Sequence, residues 1–439
     1  MNTQLIKMSA AVVVALGITW GGTTWYGGQQ IAAQYPKALA KLNDGALGPI
    51  KIVVKKQQFG FFTGRVDWDV IFTPNPCELD HTIKFSGYDD IKNGVFPSLG
   101  WGQIQSHILW PEEARPILTR VFGSKEPLQI KTNVGFLGGL QVQVMSPVST
   151  FGNEKGTFEW KGFTGKITQD RNASRFHGDL ITPGITFTSA DKETVITLDK
   201  VSYDFDSQKG QSGLGLGQGE LVFSALNAVN AGKSFGFKDF KLISETTEKD
   251  GFFAMSMTYK VAELLQEGKS IGKIELAVTA DHIDALALKD VVAVMQKMQT
   301  QCKPAPDPLL KAAQPIFAKG ISAKVNHLDI GFFDGKAHAE ATANLPALTA
   351  EEQKDPKSTV QKFGVDGKAN VTQALLIKLA DIAGKAQGQP TSPEQSAQMV
   401  EMMLAKPVSE GLLSKSADGY TTTLQVREGK VSVNGTPLN

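Results

Sequence analysis

From about Ile50 to Ala280 the apolar side chains recur at every second position, as they do in a strand with one buried and one wet face. Val66, Trp68, Val70 and Phe72 alternate with Asp67, Asp69 and Ile71. Leu140, Val142 and Val144 alternate with Gln141 and Gln143, and Val201, Tyr203 and Phe205 with Ser202, Asp204 and Asp206. Turn residues punctuate these runs, as at Gly152-Asn153 and Lys249-Asp250-Gly251. An antiparallel sheet covered on one side is the natural expectation. After Asp281 the texture changes. Leu288, Val291, Val292, Met295 and Met298 share one helical face within Ile283 to Gln301. Pro304, Pro306 and Pro308 break that helix, Leu309 to Lys319 begins another, and a hairpin follows from Ser322 to Leu345, turning at Phe333-Asp334-Gly335.

The order then recurs after about 90–95 residues, although two copies are few for a repeat protein. Gly364 to Asn370 reads as a strand, Val371 to Ala386 as a helix, Gln389 to Ser392 as a break. A helix from Pro393 to about Leu413 follows, then a hairpin around Glu428-Gly429. The expected fold class is therefore α+β. A large, mainly antiparallel β-region at 29–280 precedes an α+β region at 281–439, whose segments 281–346 and 360–439 look like two β-α-α-β-β units. Chance similarity between two α+β segments is the alternative to duplication.

The first 36 residues carry one charged side chain, Lys7. Met8 to Tyr26 is long enough to cross a bilayer as a helix, which takes roughly 20 apolar residues. Lys7 would stay in the cytoplasm, and Trp20, Trp25 and Tyr26 would form an aromatic belt at the far interface. Residues 1–28 are thus expected to be a single-pass transmembrane anchor, with everything from about Gln29 outside the cytoplasm. A cleaved signal peptide is the competing reading. Aromatic residues where signal peptidase prefers small ones, and the length of the uncharged stretch, favour retention. Gly17, Gly21 and Gly22 dilute its apolar character.

Charge narrows the partners. Forty-five basic against 44 acidic residues give a net charge of +1, with no basic stripe, so nucleic acid is not expected. Cys77 and Cys302 are the two cysteines. Outside the cytoplasm they could form a disulfide, although nothing in the sequence brings them within the roughly 7 Å that pairing requires. Two separately buried thiols are the alternative.

Short segments carry a family resemblance. Trp20-Gly-Gly-Thr-Thr-Trp-Tyr-Gly-Gly-Gln-Gln-Ile31 resembles the anchor exit of the YdgA-like bacterial proteins, and Phe59-Gly-Phe-Phe-Thr-Gly-Arg65 resembles their first hairpin. Lys92-Asn-Gly-Val-Phe-Pro97 is similar to their Gly-x-Phe-Pro turn, with Asn93 where a His usually stands. Asp418-Gly-Tyr420 through Gly429-Lys-Val-Ser-Val-Asn-Gly435 is similar to their closing hairpin. The resemblance implies a protein of the Gram-negative inner membrane, N-terminus cytoplasmic and bulk periplasmic, of unassigned function. It brings no catalytic residue.

The chain offers little chemistry of its own. Gly232-Lys-Ser234-Phe-Gly236 fits the spacing of a nucleophile elbow, but Phe235, Phe237, Phe240 and Leu242 continue as a strand where an elbow needs a helix. The Gly-rich Leu214 to Gly219 lacks the dinucleotide-binding spacing, and a Walker loop ending at Gly232-Lys233-Ser234 would need glycine where Asn227 stands. Asp204-Phe-Asp206 begins like a calcium loop but has Lys209 at the position requiring glycine. The six histidines show no ligand spacing, and Asp281-His282-x-Asp284 reads as helix capping by one of its carboxylates. No catalytic residue, cofactor or metal is expected. The expected function is non-catalytic binding of an envelope protein partner or a lipid by the β-rich body. Its Phe-rich Phe235–Phe253 stretch could line an apolar groove, or lie covered by the helices after Asp281. An envelope hydrolase using Ser234 is the alternative.

Overall fold

The computed structural model describes residues 24–37, 39–40, 43, 50–75, 77, 82–94, 100–299, 301–302, 305–386 and 392–438. Helix α1 occupies residues 24–37. Strands β1 (Ile50–Phe59), β2 (Thr63–Phe72), β3 (Ile83–Asn93) and β4 (Gly102–Leu109) lead to helix α2 (Arg115–Phe122). Next come β5 (Gln129–Val134), β6 (Leu140–Ser146), β7 (Ser149–Asn153), β8 (Gly156–Trp160), β9 (Phe163–Gln169), β10 (Arg175–Thr182), β11 (Ile185–Ser189), β12 (Thr194–Leu198) and β13 (Val201–Lys209). Four long strands follow: β14 (Gly215–Asn230), β15 (Lys233–Lys249), β16 (Phe252–Gln266) and β17 (Lys269–Asp284). Helices α3 (Ala285–Gln299) and α4 (Asp307–Lys319) precede β18 (Ile321–Phe332) and β19 (Gly335–Leu345). The chain ends through α5 (Pro356–Lys362), β20 (Gly364–Thr372), α6 (Gln373–Ala386), α7 (Pro393–Ser409), β21 (Ser414–Lys415), β22 (Gly419–Arg427), β23 (Lys430–Val433) and β24 (Thr436–Leu438).

All these strands belong to one sheet, and every pairing is antiparallel. The main path runs from β1 to β6, then through β9, β10, β13 and β14 to β20, and on through β22 to β24. Hydrogen bonding is continuous past residue 281, because β17 pairs with β18 and β19 with β20. In each half of the C-terminal region a helical hairpin is inserted between two strands that pair directly: α3–α4 between β17 and β18, α6–α7 between β20 and β22. The texture change at Asp281 therefore marks helices laid on a sheet that does not stop.

A side branch explains the shorter strands. β12 and β13 pair with successive lengths of β14, and the branch continues outward through β11 and β8 to β7. Each short pair is one long strand broken at a shared line: Pro147-Val148, Lys161-Gly162, Pro183-Gly184 and Asp199-Lys200. Proline has no N–H for the ladder. Gly184, at φ +137°, has no room for a side chain, since a Cβ would lie 2.3 Å from the Leu198 carbonyl oxygen. The line continues into β15 at Asp239, which has a φ of +50°. A crease thus crosses the sheet and sets β7, β8, β11 and β12 apart as a wing.

At the N-terminus the structure overturns the expected anchor. Among the described residues no helix is long and apolar enough to cross a membrane. The single-pass transmembrane helix, and the inner-membrane localisation resting on it, are corrected on that finding; residues 1–23, including Trp20, lie outside the described residues. What is described of the segment is a helix packed on protein. Thr24, Gly27, Gly28 and Ile31 are buried, the i, i+3, i+4, i+7 stripe of a helix lying on a surface. A Cβ at Gly27 would sit 2.5 Å from the Trp101 carbonyl oxygen, and one at Gly28 would sit 2.6 Å from Asn93 Nδ2. Ile31 joins Val66, Ile91 and Ile104 in a buried cluster. Tyr35 donates to Asp89, which also accepts from Trp68 Nε1 at 3.0 Å. Burial, with the Asp89 carboxylate beside it, pushes the Tyr35 phenol up. Of the expected aromatic belt, Tyr26 packs edge-on against Trp101 with ring centroids 5.1 Å apart, and Trp25 is exposed.

Cys77 and Cys302 are joined in a disulfide that links the loop after β2 to the segment after α3 across 225 residues of chain. Those elements lie far apart in strand order, so the bond closes a ring made of sheet, α3 and cystine.

Two expectations follow from this packing. Gly27→Leu should destabilise the seating of α1 by about 1–3 kcal/mol, read as faster proteolysis within residues 24–37; unchanged protection would refute the seating. Replacing both cysteines by serine should lower stability by up to about 5 kcal/mol, the loop-closure entropy of so long a ring. Denaturant titration would check it against the parent chain, and an unchanged midpoint would show that the bond constrains nothing.

Candidate functional site

The inter-strand register converts separate alternations into one surface. Residues directly opposite each other in an antiparallel ladder share a face. Starting at Val66 of β2, successive partners are Asp89, Ser106, Ile130, Val144, Gly165, Leu180 and Tyr203. The row continues through Leu221, Leu242, Tyr259, Leu276, Leu328, Ala339 and Ala369 to Thr422 of β22. At roughly 4.8 Å per strand it is about 70 Å long. Rows on either side are equally apolar. Val142, Ile167, Phe205, Ser244, Met257 and Val278 occupy one, and Val201, Phe223, Phe240, Val261, Ile274 and Ile330 the other. By register, these three rows carry no charged residue from β4 to β22; Lys209 and Glu248 stand on the same face toward the strand ends.

The opposite face carries the charges, paired across strands. Lys241 meets Glu220 at 3.6 Å, Lys260 meets Glu275 at 3.0 Å, and Arg175 meets Asp206 at 2.6 Å; Arg427 pairs with Asp366. Exposed pairs of this kind contribute about 0–1 kcal/mol each, so they mark the wet face and do not hold the sheet. The apparent calcium motif belongs here, with the Asp206 carboxylate held by Nε and Nη2 of Arg175. Hydrogen bonding to Arg175 keeps that carboxyl below the usual carboxylate range.

Glycines pave the apolar face. Ideal Cβ positions at Gly165 and Gly178 would lie 2.4 Å from Leu180 Cδ2 and 2.7 Å from the Phe205 ring. Large side chains therefore lie flat over the neighbouring strand, and the surface stays shallow. At the crease the apolar set resumes after three positions: Phe223 to Leu226, Phe240 to Phe237, Phe163 to Trp160, Leu198 to Val201. Two contacts place the wing's apolar side with that of the body. The Phe237 and Phe240 rings are 6.1 Å apart, and Trp160 Nε1 donates to Ser146 Oγ at 3.0 Å.

Helices cover only parts of this face. α3 and α4 pack on β16 and β17, burying Phe253, Ile283 and Ile316 against Met255 and Ala280. The start of α3 is fixed by Asp284, which accepts from the Ala287 N–H at 2.7 Å and pairs with Lys319 of α4 at 2.5 Å. Burial opposes the charge on Asp284, but Lys319 and the helix N–H groups outweigh it and its pKa is lowered. α6 packs on β19, β20 and β22. Between β5 and β15 the apolar row is half-buried, and Tyr203 is 39% exposed. The Phe-rich stretch is divided: Phe253 is buried under α3 and α4, whereas Phe235 remains 51% exposed.

The other sequence candidates do not converge. Ser234 follows a hairpin turn and begins a strand; its N–H donates to Glu267 Oε1 at 3.0 Å and its carbonyl accepts from the Glu267 N–H at 2.9 Å. That is turn geometry. His282 stacks on Phe252 with centroids 3.9 Å apart. Among the described residues no three His, Cys, Asp or Glu side chains are placed to hold a metal ion. The resemblance motifs do meet. Asn93 Nδ2 donates to the carbonyls of Gly60 and Phe61, both at 3.1 Å, while Gly28 of α1 lies against the same amide. Three motifs remote in sequence thus form the seat of α1.

The class that emerges is a continuous antiparallel sheet with one mainly apolar face, roofed at parts of its length by helices. The chain belongs to the family described as bacterial protein of unknown function (DUF945), whose model matches residues 5–439. It is similar to the uncharacterized protein YihF of Escherichia coli strain K12, 20% identical over 99% of this chain and 97% of the relative. It is also similar to the protein YdgA of the same strain, 21% identical over 100% of this chain and 95% of the relative.

The paving can be tested directly. Gly178→Ala should destabilise by about 1–3 kcal/mol through overpacking against Phe205, and most of that cost should vanish in a Phe205→Ala background. Additive effects in a thermal-unfolding double-mutant cycle would show that the two do not touch.

Proposed function

We propose that this protein is a non-catalytic binding protein that holds the hydrocarbon chains of lipids along its apolar sheet face. The observation that carries the reading is the uncharged run from Ser106 to Thr422, in which aliphatic and aromatic residues stand side by side across the sheet. A peptide segment laid on that face would bury N–H and C=O groups with few partners, at a cost of about 1–3 kcal/mol for each unpaired group. An acyl chain has no such groups. The absence of charge complements an uncharged occupant in the same way.

Magnitude separates the parts of the face. A fully buried methylene contributes about 0.8 kcal/mol. A chain lying on an open sheet buries roughly half of each methylene, so ten of them bring about 4 kcal/mol, a millimolar affinity. The open stretch alone therefore gives loose, mobile association, and tighter holding needs a roof.

Purified full-length chain equilibrated with phosphatidylethanolamine–phosphatidylglycerol vesicles, then re-isolated, should carry phospholipid measurable as phosphate. Leu242→Asp, in the middle of the row, should reduce the amount at least about fivefold, since a buried unpaired charge is strongly disfavoured. Lys241→Gln, on the opposite face, should leave it unchanged. No bound phospholipid in the parent chain, or equal loss in both variants, would sink the reading.

A further inference from the structure

At the C-terminal end of the apolar row the face stops being open. A cavity of about 200 Å³ lies over β18, β19, β20 and β22, lined by Leu328, Ala339, Ala369, Val371, Tyr420 and Leu413. The row enters it directly, because Leu276 pairs with Leu328, Leu328 with Ala339 and Ala339 with Ala369. The floor is low where β19 and β20 present alanine, so a roof that touches the sheet elsewhere leaves space here. Leu413 supplies that roof, and its position is set by hydrogen bonds on both sides. Thr422 Oγ1 donates to the Leu412 carbonyl at 2.9 Å, Asn434 Nδ2 donates to the Gly411 carbonyl at 3.1 Å, and Ser414 pairs with Thr421. Tyr420, 3% exposed, closes the wall.

We propose that this cavity seats the methyl end of a single acyl chain lying in the row. The inference rests on the hydrocarbon-binding reading and adds a fixed terminus to it. An occupant of the open row is covered from one side only, whereas an occupant here has sheet beneath it and Leu413 above it. Each methylene that enters therefore loses about twice the water-exposed area it loses on the open sheet. No Lys, Arg, Asp or Glu lines the cavity, and His338, which does, is held by Asp329 at 2.8 Å; a mostly aliphatic lining matches a chain's methyl end better than its charged head. The ligand is thereby oriented, with its methyl end at β20 and its head back along the row toward β16.

Hexadecanoic acid bearing a diazirine at its terminal carbon, photolysed on the purified full-length chain, tests this. Digestion and mass spectrometry should place adducts on Leu328, Ala339 or Tyr420. Ala369→Leu fills the cavity and should cut those adducts at least about tenfold, moving them back to Leu276 and Tyr259. If that variant fails to fold by circular dichroism, Ala339→Val serves the same purpose with less added volume. Adducts confined to Leu221–Tyr259 in the parent chain would overturn the cavity assignment while leaving the hydrocarbon reading standing. No adducts anywhere would overturn both.

Discussion

Everything in this structure depends on one constraint: an apolar sheet face must be removed from water, and here a single layer has to do it. Strand after strand presents Val, Leu, Ile, Phe or Tyr to the same side, while Lys, Glu, Asp and Gln pair across strands on the other. A two-layer domain would satisfy the constraint with a second sheet or a full helical layer. This chain satisfies it piecemeal. α1 closes the region around Val66, Ile91 and Ile104, α3 and α4 close the region around Phe253, and α6 with Leu413 closes the end at β19–β22. Between these roofs, glycine paving draws each large side chain flat over its neighbour and lowers the exposed area without covering it.

That partial solution links stability to function. The uncovered length leaves apolar surface available for the proposed hydrocarbon ligand, and the roofed regions are where buried cores hold the fold. Buried hydrogen bonds appear at those ends, as in Tyr35 and Trp68 on Asp89, or Ala287 on Asp284. The middle relies on ladder hydrogen bonds and on side chains half out of water. The disulfide between Cys77 and Cys302 ties the early strands to the segment beyond α3.

Much of the fold was legible in the sequence. Alternation identified the strands, Asp334-Gly335 and Glu428-Gly429 marked hairpins, and the recurring strand–helix–helix–hairpin order appears as α3–α4 and α6–α7 inserted between paired strands. The N-terminal reading failed for a definable reason. Hydropathy counts apolar residues whatever they face, and it groups Tyr26 with the uncharged run before it. The stripe Thr24, Gly27, Gly28, Ile31 was visible, but small residues at helical spacing mean close packing only when a backbone is known to lie opposite. Here that backbone belongs to Trp101.

Which side of each strand is apolar follows from the residue order alone, because side-chain direction alternates with every residue whatever the neighbours are. The same order determines where strands must break, since proline at 147 and 183 cannot feed the ladder and Gly184 has no room for a Cβ. That these faces align into one row is a property of the folded chain. Register between strands depends on pairings tens to hundreds of residues apart, and a one-residue slip would turn a strand's apolar side to water. The same holds for the cavity: Ala339, Ala369 and Leu413 are unremarkable residues until β19, β20 and the segment after α7 are brought together.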